Sequence, residues 1–345
     1  MRCPSLDELP PPPSEKRGWP WTESCPREPP TRQDGQGWPL ISIVTPSYNQ
    51  GAYLEETIRS ILLQGYPNLE YVVIDGGSSD GSRDIIRKYE PWLSFWVSEP
   101  DRGQPSAINK GLQHISGEIF NWINSDDVLL PECLWIVADT YRNWPDALLA
   151  GDVLSRYESS GIEERASQTD LDHRRLIEFW NYSASIHPQG IFIPMQLMNK
   201  VGTIDETLSY AFDYDLFIRL TSIAKVAHIE RTLAVYRYHA ASKSVAKSHC
   251  FLPEICSVSR KYWGMMPDLD FPASDPQGAG LLFRVGCWQI VHGAFEGIGF
   301  IKEGWRIDPL RAISANLRYV PQWLWNRSRQ QNSLLLNLSR YLSAR

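Results

Sequence analysis

The chain has 345 residues, 43% of them hydrophobic and 21% charged, and a formal net charge of -6. That composition suits one large α/β domain with an appendage and excludes a mainly disordered protein. The acidic balance argues against a dedicated nucleic-acid binder, which needs a basic face to neutralise phosphates.

Residues 1–38 contain Pro10-Pro11-Pro12-Pro13 and Pro29-Pro30 without apolar periodicity. They are expected to form an extended, poorly ordered lead-in, with Trp19, Trp21 and Trp38 as the points that pin it to the body. No apolar stretch of a secretory signal opens the chain. The cysteines (Cys3, Cys25, Cys133, Cys250, Cys256, Cys287) show no metal-ligand spacing and read as reduced thiols of a cytoplasmic protein.

From residue 39 to 151, apolar runs at 41–44, 71–74, 95–97 and 119–123 read as strands, and 53–63, 82–89 and 105–115 read as helices. Continuous apolar strands alternating with helices predict βαβ units, hence an α/β fold with a mainly parallel central sheet flanked by helices. From 152 to 245 the rhythm is less regular, with strands expected at 189–193 and 225–238 and a helix at 213–222. Residues 246–345 read as a helical C-terminal appendage. Within it, the apolar tendency of 278–301 is interrupted by Arg284, His292 and Glu296, so no bilayer-spanning helix is expected. Residues 305–345 mix Trp323, Trp325 and Tyr341 with seven arginines. Such a segment either packs on the body or rests on an anionic membrane surface, peripheral on its cytoplasmic face.

All four early strands end in polar or acidic turns. They are Thr45-Pro46-Ser47-Tyr48-Asn49, Asp75-Gly76-Gly77-Ser78-Ser79-Asp80-Gly81, Glu99-Pro100-Asp101-Arg102-Gly103 and Asn124-Ser125-Asp126-Asp127. Ligands of parallel sheets bind beyond the carboxyl ends of the strands, so these turns together mark a site. Adjacent carboxylates behind a buried strand repel each other unless a cation lies between them, and oxygen donors select Mg²⁺ or Mn²⁺. The structural alternative for Asp127 is an N-cap for a helix starting near 131. No dinucleotide-binding Gly-x-Gly-x-x-Gly follows any strand, and no P-loop occurs.

In this order the motifs resemble glycosyltransferase family 2. The matching residues are Pro46-Ser47-Tyr48-Asn49, Asp75 through Ser82, Arg102-Gly103, Ala107-Ile108-Asn109-Lys110-Gly111, Asn124-Ser125-Asp126, Asp213 through Arg219, and Tyr236-Arg237-Tyr238-His239. The resemblance spans about residues 40–244. It implies a GT-A fold, a nucleotide-sugar half (39–151), an acceptor half (152–245), and transfer of a sugar to a hydroxyl with inversion, in polysaccharide or glycolipid assembly at the cell envelope.

By position, the resemblance puts Pro46, Tyr48 and Asn49 around the nucleotide base, with Asp75 bonded to it and Arg102 and Asn109 near base or ribose. Asn124, Ser125 and Asp126 face the nucleotide sugar. Asp126 and His239 hold Mg²⁺ or Mn²⁺ at the diphosphate, and Asp213 is the general base. Asn124 stands where many relatives have an aspartate, and Asp127 is the candidate to compensate. Asp215 rivals Asp213, but about 200° separates them around a helix, so only one can face the site. A UDP-sugar donor and a saccharide or lipid-linked acceptor are the expected partners. A nucleotidyltransferase, or a non-catalytic relative that binds nucleotide sugar or carbohydrate, stays open as an alternative.

Overall fold

The computed structural model describes residues 3–26, 37–169, 171–177, 186–262, 301–302 and 305–306. The chain divides into two units, residues 1–177 with 184–247, and residues 178–183 with 248–345. The candidate site lies wholly in the first.

In the first unit, β1 (Ile41–Ser47), β2 (Leu69–Asp75), β3 (Phe95–Ser98) and β4 (Ile119–Trp122) alternate with α1 (Gly51–Leu62), α2 (Ser82–Tyr89) and α3 (Gln104–Leu112). β1 is buried at every position, as a strand covered on both faces must be. Gly111 lets α3 lie close on β1, since a Cβ there would meet Val44 Cγ1 at 2.4 Å.

The second half of this unit adds β5 (Val128–Leu129), α4 (Cys133–Asn143), β6 (Leu148–Tyr157), β7 (Ile162–Ala166), α5 (His173–Ile177) and β8 (Ile191–Pro194). It continues with α6 (Met195–Val201), α7 (Phe212–Thr221), β9 (Val226–Tyr238) and α8 (Lys243–Ala246). The sheet order is β3-β2-β1-β4-β8-β6-β9-β5, with β7 paired to β6. The ladders β1–β2, β1–β4, β2–β3 and β6–β9 are parallel and the shorter links around β8, β5 and β7 antiparallel. The mainly parallel sheet expected from the sequence is therefore present.

Two registers place the site. Ser47 lies opposite Asp75, and Asp75 opposite Ser98, so the carboxyl ends of β1, β2 and β3 share one edge. The strand order reverses between β1 and β4, which opens a crevice beyond their ends. On the other side, β5 pairs antiparallel with β9, Val128 opposite Val235. That two-residue strand ties the turn after β4 to the end of β9.

The N-terminal segment departs from the expectation of poor order. Cys3, Leu9, Trp21 and Cys25 are buried, and the amides of Cys3 and Cys25 donate to the carbonyls of Tyr66 and Leu63. Arg59 of α1 is fully buried, and its guanidinium donates to the carbonyls of Pro10, Pro20 and Trp21 and to the Tyr89 hydroxyl. Trp19 Nε1 donates to the Leu129 carbonyl at 2.8 Å. A buried charge must be met by acceptors, and a proline-rich chain has more carbonyls than amides to offer. Residues 3–26 are thus held by polar anchoring that apolar periodicity does not reveal.

In the second unit, α9 (Ser248–Tyr262) is helical. The membrane-surface expectation for 305–345 falls almost entirely outside the described residues. Among those described, no helix is long and apolar enough to cross a membrane.

Candidate active site

The turns after β1 and β2 are wired together. Asn49 takes a left-handed φ of 51°, which asparagine tolerates better than most residues. Its amide donates to Ser78 Oγ, and its Oδ1 accepts from the Ser79 amide at 2.9 Å. Asp80 Oδ2 accepts from the Gly51 amide at the start of α1. Asp75, 1% exposed, takes the Gly77 and Ser78 amides and the Ser98 hydroxyl on Oδ2, and the Ser78 hydroxyl on Oδ1. Pro46 lies within β1 opposite Ile74. Tyr48 stands out at 64% exposure with its ring near Gly76, an open aromatic face at the rim of the crevice. Hence Asn49 and Asp75 knit the turns after β1 and β2 together, and Tyr48 stands exposed beside them.

The turn after β4 splits its two carboxylates. Asp127 is fully buried, accepting from Gln189 Nε2 at 2.5 Å, Asn124 Nδ2 at 2.9 Å and the Arg237 amide at 3.1 Å. Burial above all, then repulsion from Asp126, pushes its carboxyl well above the usual range, while those bonds pull the other way. It is not a cap for α4, which starts at Cys133. Asp126 instead bonds His239, with Oδ2 and Nε2 2.9 Å apart. These residues are 113 positions apart in the chain and meet because β5 pairs with β9. Ser125 is buried beside them, and its carbonyl accepts from Thr57 Oγ1.

Behind His239 stands a support that the sequence reading did not single out. The Tyr53 ring lies 4.4 Å from the imidazole, and its hydroxyl donates to Glu158. Arg237, 5% exposed, sits over the Tyr53 ring and pairs with Glu56 at 3.2 Å and with Glu158 at 3.8 Å. Gln104 was missed as well, and Gln189 stood in the sequence as a residue beside an expected strand. Each uses its amide to hold one residue of the acidic turn, Asn124 or Asp127. Only Gln189, at the start of an expected strand, carried any hint in the sequence.

Arg102 and Asn109 meet at Glu206. Arg102 pairs with it at 2.6 Å, and Asn109 Nδ2 donates to Glu206 Oε1 and to the Ile204 carbonyl. Asn109 Oδ1 accepts the Ile204 amide. The Asn109 amide joins α3 to the loop before α7. That loop delivers Asp213 to the start of α7, where Asp213 Oδ1 accepts the Tyr214 amide. Phe212 packs against Trp122 at the end of β4 (ring centroids 6.3 Å apart), which fixes this helix start beside the acidic turn. The rival Asp215 is 4% exposed and bonded to Arg219 at 2.9 Å. It braces α7, and Asp213, half-buried, is the more accessible of the two.

His187 precedes β8 with its ring 5.5 Å from that of Tyr236. Burial pushes its pKa from 6.5 down to about 4. Above pH 6.5 the ring is neutral whether folded or unfolded. Below it, the unfolded chain takes up a proton that the fold resists, so stability falls as pH falls toward 4. Between pH 7 and 5 this loss is expected to reach about 2 kcal/mol. Denaturant unfolding of wild type and His187→Gln at the two pH values checks it, and an equal loss in both proteins would refute it.

Residues 42–198 match Glycosyl transferase family 2. An uncharacterized glycosyltransferase of Rickettsia typhi is 31% identical over 211 residues, covering 59% of this chain and 65% of that one. The chain thus spans just under two thirds of that relative's length. A Bacillus subtilis glycosyltransferase named for teichuronic acid biosynthesis, TuaG, is 38% identical over 92 residues, 26% of this chain and 36% of that one. Among solved structures, residues 1–349 of Staphylococcus aureus TarS in complex with UDP-GlcNAc superpose with a TM-score of 0.55 at 16% identity, covering 81% of this chain and 91% of that chain. That likeness shows the GT-A fold. The matched residues carry the turns after β1 to β4 just described, so the likeness to glycosyl transferase family 2 falls on the candidate site itself.

Proposed function

We propose that the chain transfers a sugar from a nucleoside-diphosphate sugar to a hydroxyl acceptor by a single, inverting displacement. The observation that carries this reading is the pair Asp126–His239, 2.9 Å apart, at the crevice between β1 and β4 with Asp213 on the neighbouring helix start. Tyr48 and the Asn49–Asp75 wall would take the base, with Arg102 at its edge and Asn109 acting through the loop it holds. UDP is the expected nucleotide, a choice supported by the UDP-GlcNAc seen with TarS. Polysaccharide or glycolipid assembly at the cell envelope is supported by the name of the Bacillus relative, which refers to teichuronic acid biosynthesis.

The donor set suits Mg²⁺ or Mn²⁺. Asp126 Oδ2 and His239 Nε2 lie 2.9 Å apart, and among the described residues no group of three or more acidic, imidazole or thiol side chains is placed to hold a metal. Such ions commonly take one or two protein ligands and complete their shell with phosphate and water. When bound, the ion would neutralise charge growing on the departing diphosphate. The protein's own part is to fix that pair, through Tyr53 and Arg237 behind His239, and to present Asp213. An acceptor hydroxyl is far too weak an acid to ionise at neutral pH, so a carboxylate must take its proton as it attacks. With base and leaving group on opposite sides of the anomeric carbon, the configuration inverts.

Phosphorus NMR of the chain incubated with UDP-sugars, Mn²⁺ and saccharide or lipid-linked acceptors tests the reading. Release of UDP together with a glycosylated product of inverted anomeric configuration is expected. Release of inorganic diphosphate from a nucleoside triphosphate and a sugar phosphate would make it a nucleotidyltransferase. Binding without turnover, across donors and acceptors, would make it a non-catalytic relative.

A further inference from the structure

We propose that Thr57 of α1 is a positioning residue that sets where Asp126 stands relative to His239; its bearing on a metal ion rests on the nucleotide-sugar reading above. The Thr57 side chain is fully buried, and its Oγ1 lies 3.0 Å from the Ser125 carbonyl and 2.7 Å from the Asp127 carbonyl. A hydroxyl has one proton to donate, so it is shared between the two carbonyls. The turn is thereby gripped at its backbone, one residue before and one residue after the carboxylate that meets His239.

The same helix also touches the other member of the pair. Tyr53 lies one helical turn before Thr57, hence on the same face of α1, and its ring is 4.4 Å from the His239 imidazole. Asp126 and His239 are 113 positions apart in the chain, yet a single turn of one helix reaches both. Farther along α1, fully buried Ser60 and Gln64 continue the grip. Ser60 Oγ accepts the Leu129 amide at 3.1 Å, and Gln64 Nε2 donates to the Leu130 carbonyl at 2.9 Å. Polar side chains are costly in a sealed helix interface unless each finds a partner, and here Thr57, Ser60 and Gln64 all find backbone of residues 125–130. The spacing of Asp126 and His239 is therefore set by α1 as well as by the pairing of β5 with β9. Groups that orient a metal ligand raise affinity without touching the ion, and a site with two protein ligands depends on them strongly.

Thr57→Val keeps the shape of the side chain without its hydroxyl, and Thr57→Ser keeps the hydroxyl. Two readouts on the full chain test the role. One is the NMR signals of the His239 ring with no ligand added. The other is Mn²⁺ uptake, followed by electron paramagnetic resonance, with whichever of UDP, GDP and dTDP the wild type binds. Thr57→Val is expected to move the His239 signals and to weaken Mn²⁺ binding about tenfold or more, while the corresponding nucleoside binds as in wild type. Thr57→Ser is expected to keep the His239 signals in place and Mn²⁺ affinity within about threefold of wild type. His239 signals or Mn²⁺ affinity unchanged in Thr57→Val would overturn the inference. So would a Thr57→Ser that behaves like Thr57→Val, or nucleoside binding lost in step with Mn²⁺, which marks damage to the fold. A wild type that binds none of the three diphosphates would bring down the nucleotide-sugar reading, and the His239 signals of the two variants would then decide the positioning role by themselves.

Discussion

Asp213→Asn is expected to slow sugar transfer by about 10²–10⁴-fold while leaving nucleotide affinity within about twofold of wild type. The substitution removes the basic oxygen and little else. Asparagine has the same shape, and its Oδ1 can still accept the Tyr214 amide that Asp213 accepts now. The contact of Phe212 with Trp122 that positions the helix start is untouched. Asp215→Asn is the informative contrast. It weakens a buried ion pair with Arg219, whose guanidinium also reaches the carbonyls of Val201 and Thr203. That variant should lose stability, with any loss of rate following the folded fraction. Single-turnover rates and thermal unfolding of both variants separate the two roles. Full turnover by Asp213→Asn would move the base elsewhere.

The second large effect is expected at Asp126. Asp126→Asn should lower turnover at fixed Mn²⁺ by about 10²–10³-fold and remove the metal dependence of UDP binding. An asparagine at this position can still bond His239 Nε2, so the imidazole keeps its place against Tyr53. What is lost is the one charged donor of the pair. Calorimetry with UDP, with and without Mn²⁺, reads this directly. In wild type the metal should tighten binding, and in the variant the two isotherms should coincide. A variant that retains the metal effect would exclude Asp126 as a ligand.

The first half of the sheet, β1 to β4, was legible in the sequence because its signals are local. Each of β1 to β4 is a short apolar run that ends where polar residues begin, and the parallel registers bring those ends to one edge. Asp75 and Asn49 could be found in this way. Their bonding could not, since the Ser78, Ser79 and Ser98 partners depend on how two turns fold over each other.

The part from β5 onward was harder to read because its key pairing is distant. β5 has two residues and no periodicity, yet it decides that Asp126 faces His239 while Asp127 is sealed in with Gln189. Two adjacent aspartates look equivalent in a sequence. The turn between β4 and β5 gives them different partners, His239 for one and Gln189, Asn124 and the Arg237 amide for the other. The same distance hid Glu206, which gathers Arg102 and Asn109 from about a hundred residues earlier.

The likeness to family 2 begins at Ser42, and composition alone would also start the catalytic unit just before β1. Arg59 says otherwise. Its guanidinium is sealed inside the fold, and three of its acceptors are carbonyls of Pro10, Pro20 and Trp21. Cutting the chain near Trp38 would leave a cation in the interior with most of its oxygens gone, and would uncover the apolar surface now beneath Leu9 and Trp21. The folding unit and the unit of recognisable ancestry therefore have different limits. A gene fusion or domain graft that respects only the second would inherit a protein with a hole at its base.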